Sequence, residues 1–393
     1  MTTAGQPVPG TARYDAALGR VPTMVARAFY DADSWLTTTD PAITTAIDAA
    51  SDNTRKAWRA DWSVFRRWAR EPAARYWPDE RDRLRLPVLP ELLVAFVNDV
   101  ASGSADGQPR HIATIRRYLS TLSALHRLLD LPDPTKAQIV RNTLKACARG
   151  SGGQKQALPL RWNLVEAASQ ALSHDLVGVR DSALLAVAHN TMARRAELVA
   201  IDLADLSFED NGSGIAILRP TKTDLEAEEQ YRYLSPFTTK LVKRWIERSE
   251  LREGPLFVRL QANGQARVSN GQRGKCRQLL QHGQRLDAAQ VAIIIKLAVA
   301  TIALDRGELR LGDTDPASKR RAMLDYARGY SGHSARIGAA QDLAAAGIST
   351  AAILQSGGWK DERMVKRYIR RLASFEAGMA QMFAAQRRQE KMV

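Results

Sequence analysis

Apolar residues recur at spacings of three and four along most of this chain, and that rhythm restricts it to a mainly helical fold. From Asp52 onward Trp58, Trp62, Phe65 and Ala69 fall on one stripe, with Asn53 or Thr54 expected to cap the helix. Arg55, Arg59, Arg66 and Arg70 lie off that stripe, and Pro72 and Pro78 end it. Pro90 opens a second helix whose buried face is Leu93, Phe96, Val97 and Val100. A third carries Ile112, Ile115, Leu119, Leu122 and Leu129 inward and Arg116, Arg117 and Arg127 elsewhere. Thr135 is expected to cap a last helix reaching about Ala148.

The run RGSGGQKQALP at 149–159 mixes Gly, Ser and Lys and reads as an interdomain linker. Beyond it, helices are expected near 162–173, 177–192, 237–250, 285–305, 333–346, 350–356 and 361–371. Residues 215–218 and 230–234 alternate like strands of a hairpin around a polar turn. Residues 1–50, rich in Thr, Ala, Pro and Asp, read as a flexible arm. The expected organisation is that arm, a helical domain over 51–150, a linker over 151–158 and a mixed domain over 159–393.

Charge narrows the partner. The 393 residues carry a net +15 and a pI near 10.1, which favours a polyanion and most often nucleic acid. Residues 51–157 hold 19 basic and 11 acidic side chains against three and five in 1–50, so the excess is not one local polybasic run. No apolar run is read as approaching the roughly 18 residues that span a bilayer, and the start MTTAGQPVPGTARYD shows no secretory pattern. Cys147 and Cys276, far apart and without CxxC spacing, fit a reducing cytoplasm and offer no thiolate zinc site.

The chemistry-bearing residues form a constellation. SGHSARIGAA (331–340) sets His333 and Arg336 three apart near a helix start, where free N–H groups also favour an anion. By itself that pair marks a plain helix cap more often than a site. NTMARRAELVAIDLADL (190–206) puts Arg194 and Glu197 on one helical face, and Lys222 sits in the hairpin turn RPTKT. GGWKDERMVKRYI (357–369) gives Trp359 and, nine residues on, Tyr368. Singly, Tyr368 and Trp359 fit core packing and Lys222 a solvated turn. His111, His126, His174, His189 and His282 form no metal-ligand cluster.

In this order of Arg, Lys, His-x-x-Arg, Trp and Tyr the chain resembles the tyrosine recombinase (phage integrase) family, specifically the Cre-type recombinases, where Trp replaces the more common second His. WRADWSVFRRWA and TIRRYLSTLSALHRLLDLP resemble that family's DNA-clamping domain, and the likeness runs over about 51–385. Family members often carry TGLR before the Glu where this chain has TMAR; residues 257–330 match poorly.

The resemblance implies a mainly α fold: a helical core-binding domain and an α+β catalytic domain with a small β-sheet, closing as a clamp on duplex DNA. It implies site-specific strand exchange through a 3′-phosphotyrosine link and a Holliday junction, by a dimer on inverted-repeat arms and a tetramer on two sites. Tyr368 would be the nucleophile, Arg194 and Arg336 the grips on phosphate, and His333 a donor or proton carrier. Trp359 would be a donor, Lys222 the general acid, and Glu197 an orienting group. No cofactor and no metal are expected. Arg55, Arg59, Arg116 and Arg117 are the candidate groove and phosphate contacts. The apolar stripe Phe375, Met379, Met382 and Phe383 would dock a C-terminal helix into a neighbouring protomer. A type IB-like topoisomerase or telomere resolvase would share the chemistry. A DNA-binding regulator would lack it, and a metal-dependent nuclease or transposase would need a carboxylate cluster.

Overall fold

The computed structural model describes residues 45, 47–79, 86–150, 156–219, 229–260, 283–359 and 361–373. The chain divides into two units between Lys155 and Gln156, inside the Gly/Ser/Lys break.

Among the described residues the first unit contains the helices α1 (Asp52–Arg70), α2 (Pro90–Ser102), α3 (Ile112–Leu128) and α4 (Gln138–Gly150). The cap of α1 is Ser51, whose Oγ accepts from Thr54 N at 3.2 Å, rather than Asn53 or Thr54. Starting the helix two or three residues earlier sets Asp52 in the first turn, where the helix dipole favours a carboxylate. Trp62, Phe65, Trp68 and Ala69 are buried from α1, and Leu93, Phe96, Val97 and Val100 from α2. Phe65 and Phe96 meet edge to face at 5.1 Å, the arrangement that ring quadrupoles favour. On α3 the stripe runs through Leu125, while Leu129 is the C-cap. Thr135 lies within a 3₁₀ turn (Pro134–Lys136) that Asp133 caps, and α4 begins only after it. Pro134 fixes the backbone angle that starts this turn, which makes the preceding Asp the natural cap.

Among the described residues the buried side-chain polar groups of this unit are satisfied, as a core demands. The Asp99 carboxylate accepts from Trp68 Nε1 at 2.7 Å and Tyr76 Oη at 2.9 Å. His126 Nε2 accepts from Val88 N at 3.0 Å while Nδ1 donates to Leu122 O at 2.7 Å, and burial holds its pKa below the ordinary histidine value.

The second unit runs α5 (Trp162–Ala171), α6 (Leu176–Thr191), α7 (Arg195–Ala200), β1 (Leu206–Phe208), β2 (Gly214–Leu218), β3 (Gln230–Leu234), α8 (Pro236–Ser249), α9 (Ala288–Asp305), α10 (Pro316–Tyr326), α11 (Ser334–Ala345), α12 (Thr350–Gly357) and α13 (Glu362–Ala373). The sheet is antiparallel, ordered β1-β2-β3, with Ala216 facing Leu206 on one side and Arg232 on the other. Helix α6 is the central post, buried along nearly its whole length and packed on α5, α8, α11 and β3. At 18 residues and a mean hydropathy of 1.8, α9 is long and apolar enough to span a membrane by those measures alone, contrary to the sequence reading. Its Val291, Ile294, Ile295, Ala298, Val299 and Ile302 instead belong to the unit's core. Gly338 lets α11 press on the chain ahead of α5, since a Cβ there would lie 1.8 Å from Leu160 O.

Candidate active site

Three separate stretches of the second unit converge: the α6–α7 turn, the start of α11, and the α12–α13 segment. Met192 ends α6 in the left-handed region at φ 50°, where the resemblance leads one to expect glycine. A side chain in that conformation costs roughly 1–2 kcal/mol. Burial of the Met192 side chain at 1% exposure offsets it, in a small cluster with Ala339, Ala340, Ile353, Trp359 and Val365.

Arg194 is not inside a helix beside Glu197, as its spacing predicts; it is the residue preceding α7. Glu197 reaches back to it: Arg194 N donates to Glu197 Oε2 at 2.8 Å and Arg194 Nη1 to Oε1 at 2.5 Å, so one carboxylate accepts from both the backbone and the side chain of the residue that starts the helix. The carboxylate thus sets both the backbone and the guanidinium of Arg194, whose side chain stays mostly exposed.

Arg336, on the first turn of α11, is 4% exposed. Its Nη1 donates to Met192 O and its Nη2 to Gly357 O at 2.6 Å, so the C-terminal ends of α6 and α12 hold one guanidinium between them. The Trp359 ring lies 4.5 Å from the guanidinium carbon. Burial first, then Arg194, pushes the Arg336 pKa down to about 10, against the pull of Glu197 and Tyr368. It remains a cation at neutral pH. Of its five N–H donors, two go to these carbonyls, which among the described residues leaves three for a ligand.

His333 precedes α11, and its side chain makes no cap hydrogen bond. Burial, then Arg336, Arg195 and Arg194, lower its pKa, so the imidazole is neutral at pH 7. Trp359 is buried, with its ring 5.4 Å from that of the half-buried Tyr368. Packing therefore accounts for Trp359 in this structure, and Gly357 is required because a Cβ there would meet its ring at 2.4 Å. Gln341 Nε2 donates to Tyr368 O at 3.0 Å and ties α13 to α11. Lys222 and the stripe Phe375, Met379, Met382 and Phe383 lie outside the described residues.

The structure divides the four candidate DNA contacts of the first unit. Arg59 and Arg116 are exposed. Arg55 is tied to Asp48 at 3.0 Å and to Asp52, and Arg117 to the buried carboxylate of Asp61. Two residues of the second unit escaped the sequence reading. Arg195, with its Cδ 3.3 Å from where a Gly332 Cβ would stand, adds a cation beside His333. Arg232 is buried at 8% exposure behind the α12–α13 turn. An arginine on the same face of a strand as Leu234 was the available signal for it.

Two arginines, a neutral histidine and a tyrosine, electrically coupled and partly buried, suit an anion attacked by a phenol. Among the described residues no group of three or more His, Cys, Asp or Glu is placed to hold a metal ion. Fold and site together define a tyrosine recombinase. Residues 160–374 match the phage integrase family, and the chain belongs to it. It is a site-specific DNA recombinase, an enzyme that cleaves and rejoins DNA. It is 30% identical over 362 residues to the recombinase Cre of Escherichia phage P1, covering 86% of this chain and 94% of that one. It is 26% identical over 331 residues to an integrase/recombinase XerD homolog of Selenomonas ruminantium, covering 81% and 82%. Among solved structures, the XerH site-specific recombinase bound to difH substrate superposes with a TM-score of 0.54 at 14% identity, covering 93% and 97%.

Proposed function

We propose that Tyr368 is the nucleophile and that Arg194, Arg336, His333 and Lys222 carry the transfer. The observation behind this is the convergence of Arg194, His333, Arg336 and Tyr368 from three stretches of chain into one electrically coupled group. Tyr368 Oη attacks the scissile phosphorus, the bond to the 5′ oxygen breaks, and Lys222 gives that oxygen its proton. The two guanidiniums hold the nonbridging oxygens as charge builds on them, while neutral His333 accepts the phenol proton or donates to the same oxygens. The 5′ hydroxyl of a second duplex then attacks the 3′-phosphotyrosine and releases Tyr368. One phosphodiester replaces another, so no nucleotide is spent.

Duplex DNA with inverted-repeat arms would seat two protomers, and two such sites a tetramer that passes through a Holliday junction. The stripe Phe375, Met379, Met382 and Phe383 would link neighbours, and Arg59 and Arg116 would contact phosphate or groove. The work would be done in the cytoplasm.

The test is cleavage of a nicked suicide duplex carrying the enzyme's own site, recovered by selecting bound molecules from random duplexes. Tyr368→Phe should form no covalent adduct yet bind the duplex as the parent does, because only the nucleophilic hydroxyl is removed. An adduct in that variant would assign the nucleophile elsewhere. Relaxation of supercoiled plasmid, or hairpin ends, without strand exchange would make the chain a topoisomerase or resolvase.

A further inference from the structure

We infer that Arg232, on β3, is a positioning residue for Arg336 and Trp359. The inference rests on the assignment of Arg336 to the scissile phosphate.

Arg232 points from β3 to the buried face of the sheet, at a register position opposite Ala216. Its Nη1 donates to Gln355 O at 3.0 Å and to Ser356 O at 2.5 Å, and its Nη2 to Gln230 Oε1 at 2.5 Å. The next carbonyl along α12, that of Gly357, is the one that receives Arg336 Nη2 at 2.6 Å. Three successive carbonyls at one helix end are therefore shared between two guanidiniums: Arg232 takes the first two and Arg336 the third. Gln355 O also accepts from the capping Gly358 N at 3.0 Å, and all three carbonyls carry the negative end of the helix dipole, so cations suit them.

The chain leaves this helix end through Gly358, in the left-handed region at φ 58°. A Cβ on Gly358 would lie 2.6 Å from Arg232 Nη2 and 2.7 Å from Gln230 Oε1. The turn is thus moulded on the Arg232 side chain, and the residue it delivers is Trp359, which packs on both Arg336 and Tyr368. Shifting the Arg232 guanidinium would move the Gly357 carbonyl and the Trp359 ring together, and with them two of the surfaces that fix Arg336.

A purely structural side chain would not be built this way. Among the described residues Arg232 has no carboxylate partner, and its Nε is buried without a hydrogen bond. Such an ion is costly, and a well-packed apolar residue would serve stability better. Burial lowers its pKa, with Glu197 raising it and Arg194 lowering it, so it shares the field of the reacting groups. The same strand leaves the β2–β3 connection that bears Lys222.

The experiment compares Arg232→Lys and Arg232→Met in the full chain. It measures single-turnover cleavage of the suicide duplex, affinity for the same duplex, and thermal melting. Displacing a catalytic group by about an ångström costs on the order of 10²-fold, so cleavage should fall by about that much in Arg232→Met while duplex affinity stays near the parent's. Arg232→Lys, which keeps a cationic donor group for the carbonyls but not the planar fork, should recover part of the loss. If Arg232 acts through Arg336, adding Arg232→Met to Arg336→Lys should slow cleavage by no more than about twofold further. A substrate with sulfur as the 5′ bridging atom should not restore Arg232→Met, because proton donation is not what it lost. Multiplying defects in the double variant, parental cleavage in both single variants, or loss that merely follows unfolding would each overturn the inference. Tyr368→Phe runs in parallel: an adduct there would overturn the assignment of the site itself, independently of Arg232.

Discussion

Arg117→Ala should unfold the first unit far more readily than it weakens DNA binding. The Asp61 side chain is 1% exposed and accepts from Thr121 Oγ1 at 2.8 Å and from Arg117. Arg117 itself is 51% exposed and lies 5.2 Å from the centre of the Tyr118 ring. Breaking a buried ion pair from one side costs about 3–5 kcal/mol, because the remaining charge stays buried. Water already reaches half of the Arg117 side chain, which reduces the loss to about 2–3 kcal/mol. For a helical unit of about a hundred residues that amounts to a fall of roughly 10–20 °C in Tm. The pH dependence has a definite sign. Burial raises the Asp61 pKa, and Thr121 and Arg117 oppose the rise, so deleting Arg117 raises it further. A carboxyl whose folded pKa exceeds its unfolded one destabilises at high pH and is relieved as pH falls through the folded value. The deficit should therefore be largest at pH 7 and narrow towards pH 5, and Asp61→Asn in the same chain should recover most of it. Circular-dichroism melts at both pH values measure this, with the exposed Arg116→Ala as the control. A melt within about 2 °C of the parent at pH 7, or an equal deficit at both pH values, would refute the reasoning.

Lys222→Ala should lose about 10²–10⁴-fold in cleavage on an ordinary duplex and regain most of it on the 5′-phosphorothiolate, whose leaving sulfur barely needs a proton. Equal defects on the two substrates would remove Lys222 from the acid role. Truncation after Arg371 should abolish two-site synaptic complexes while sparing single-site binding, since each large side chain of the stripe contributes about 1.5–3 kcal/mol when buried in a neighbour. Synapsis by the truncated chain would show the helix to be dispensable.

Where one face of a helix is buried, the sequence announced it. Leu93, Phe96, Val97 and Val100 all lie inside because the 3.6-residue period leaves them no other face. β1 spans three residues, too few for a period of two to register, and α10 buries none of its residues and so shows no stripe. The candidate site was legible as residue types in order, but its supports were not. That Arg117 faces Asp61 depends on a contact across 56 residues, invisible to local patterning. Equally, the left-handed turn at Met192 could not be read from a residue that normally avoids it.

The supports share one electrostatic device, which explains why they resist sequence reading. Arg336 and Arg232 are oriented by backbone carbonyls of Met192, Gln355, Ser356 and Gly357, and among the described residues neither is paired with a carboxylate. A carboxylate would hold a guanidinium equally well but would cancel its charge and compete with the phosphate for the same N–H groups. Carbonyl dipoles fix the geometry and leave the charge available. The cost is visible in the Arg336 pKa of about 10, the unbonded Nε of Arg232 and the backbone strain at Met192. Arg194 differs in being mostly exposed, and there Glu197 can afford to pair with it, since water screens the ion pair and an incoming phosphate can share the guanidinium. A phosphodiester entering the site would supply the counter-charge that Arg336 lacks, so stability given up in the free protein is returned on binding DNA.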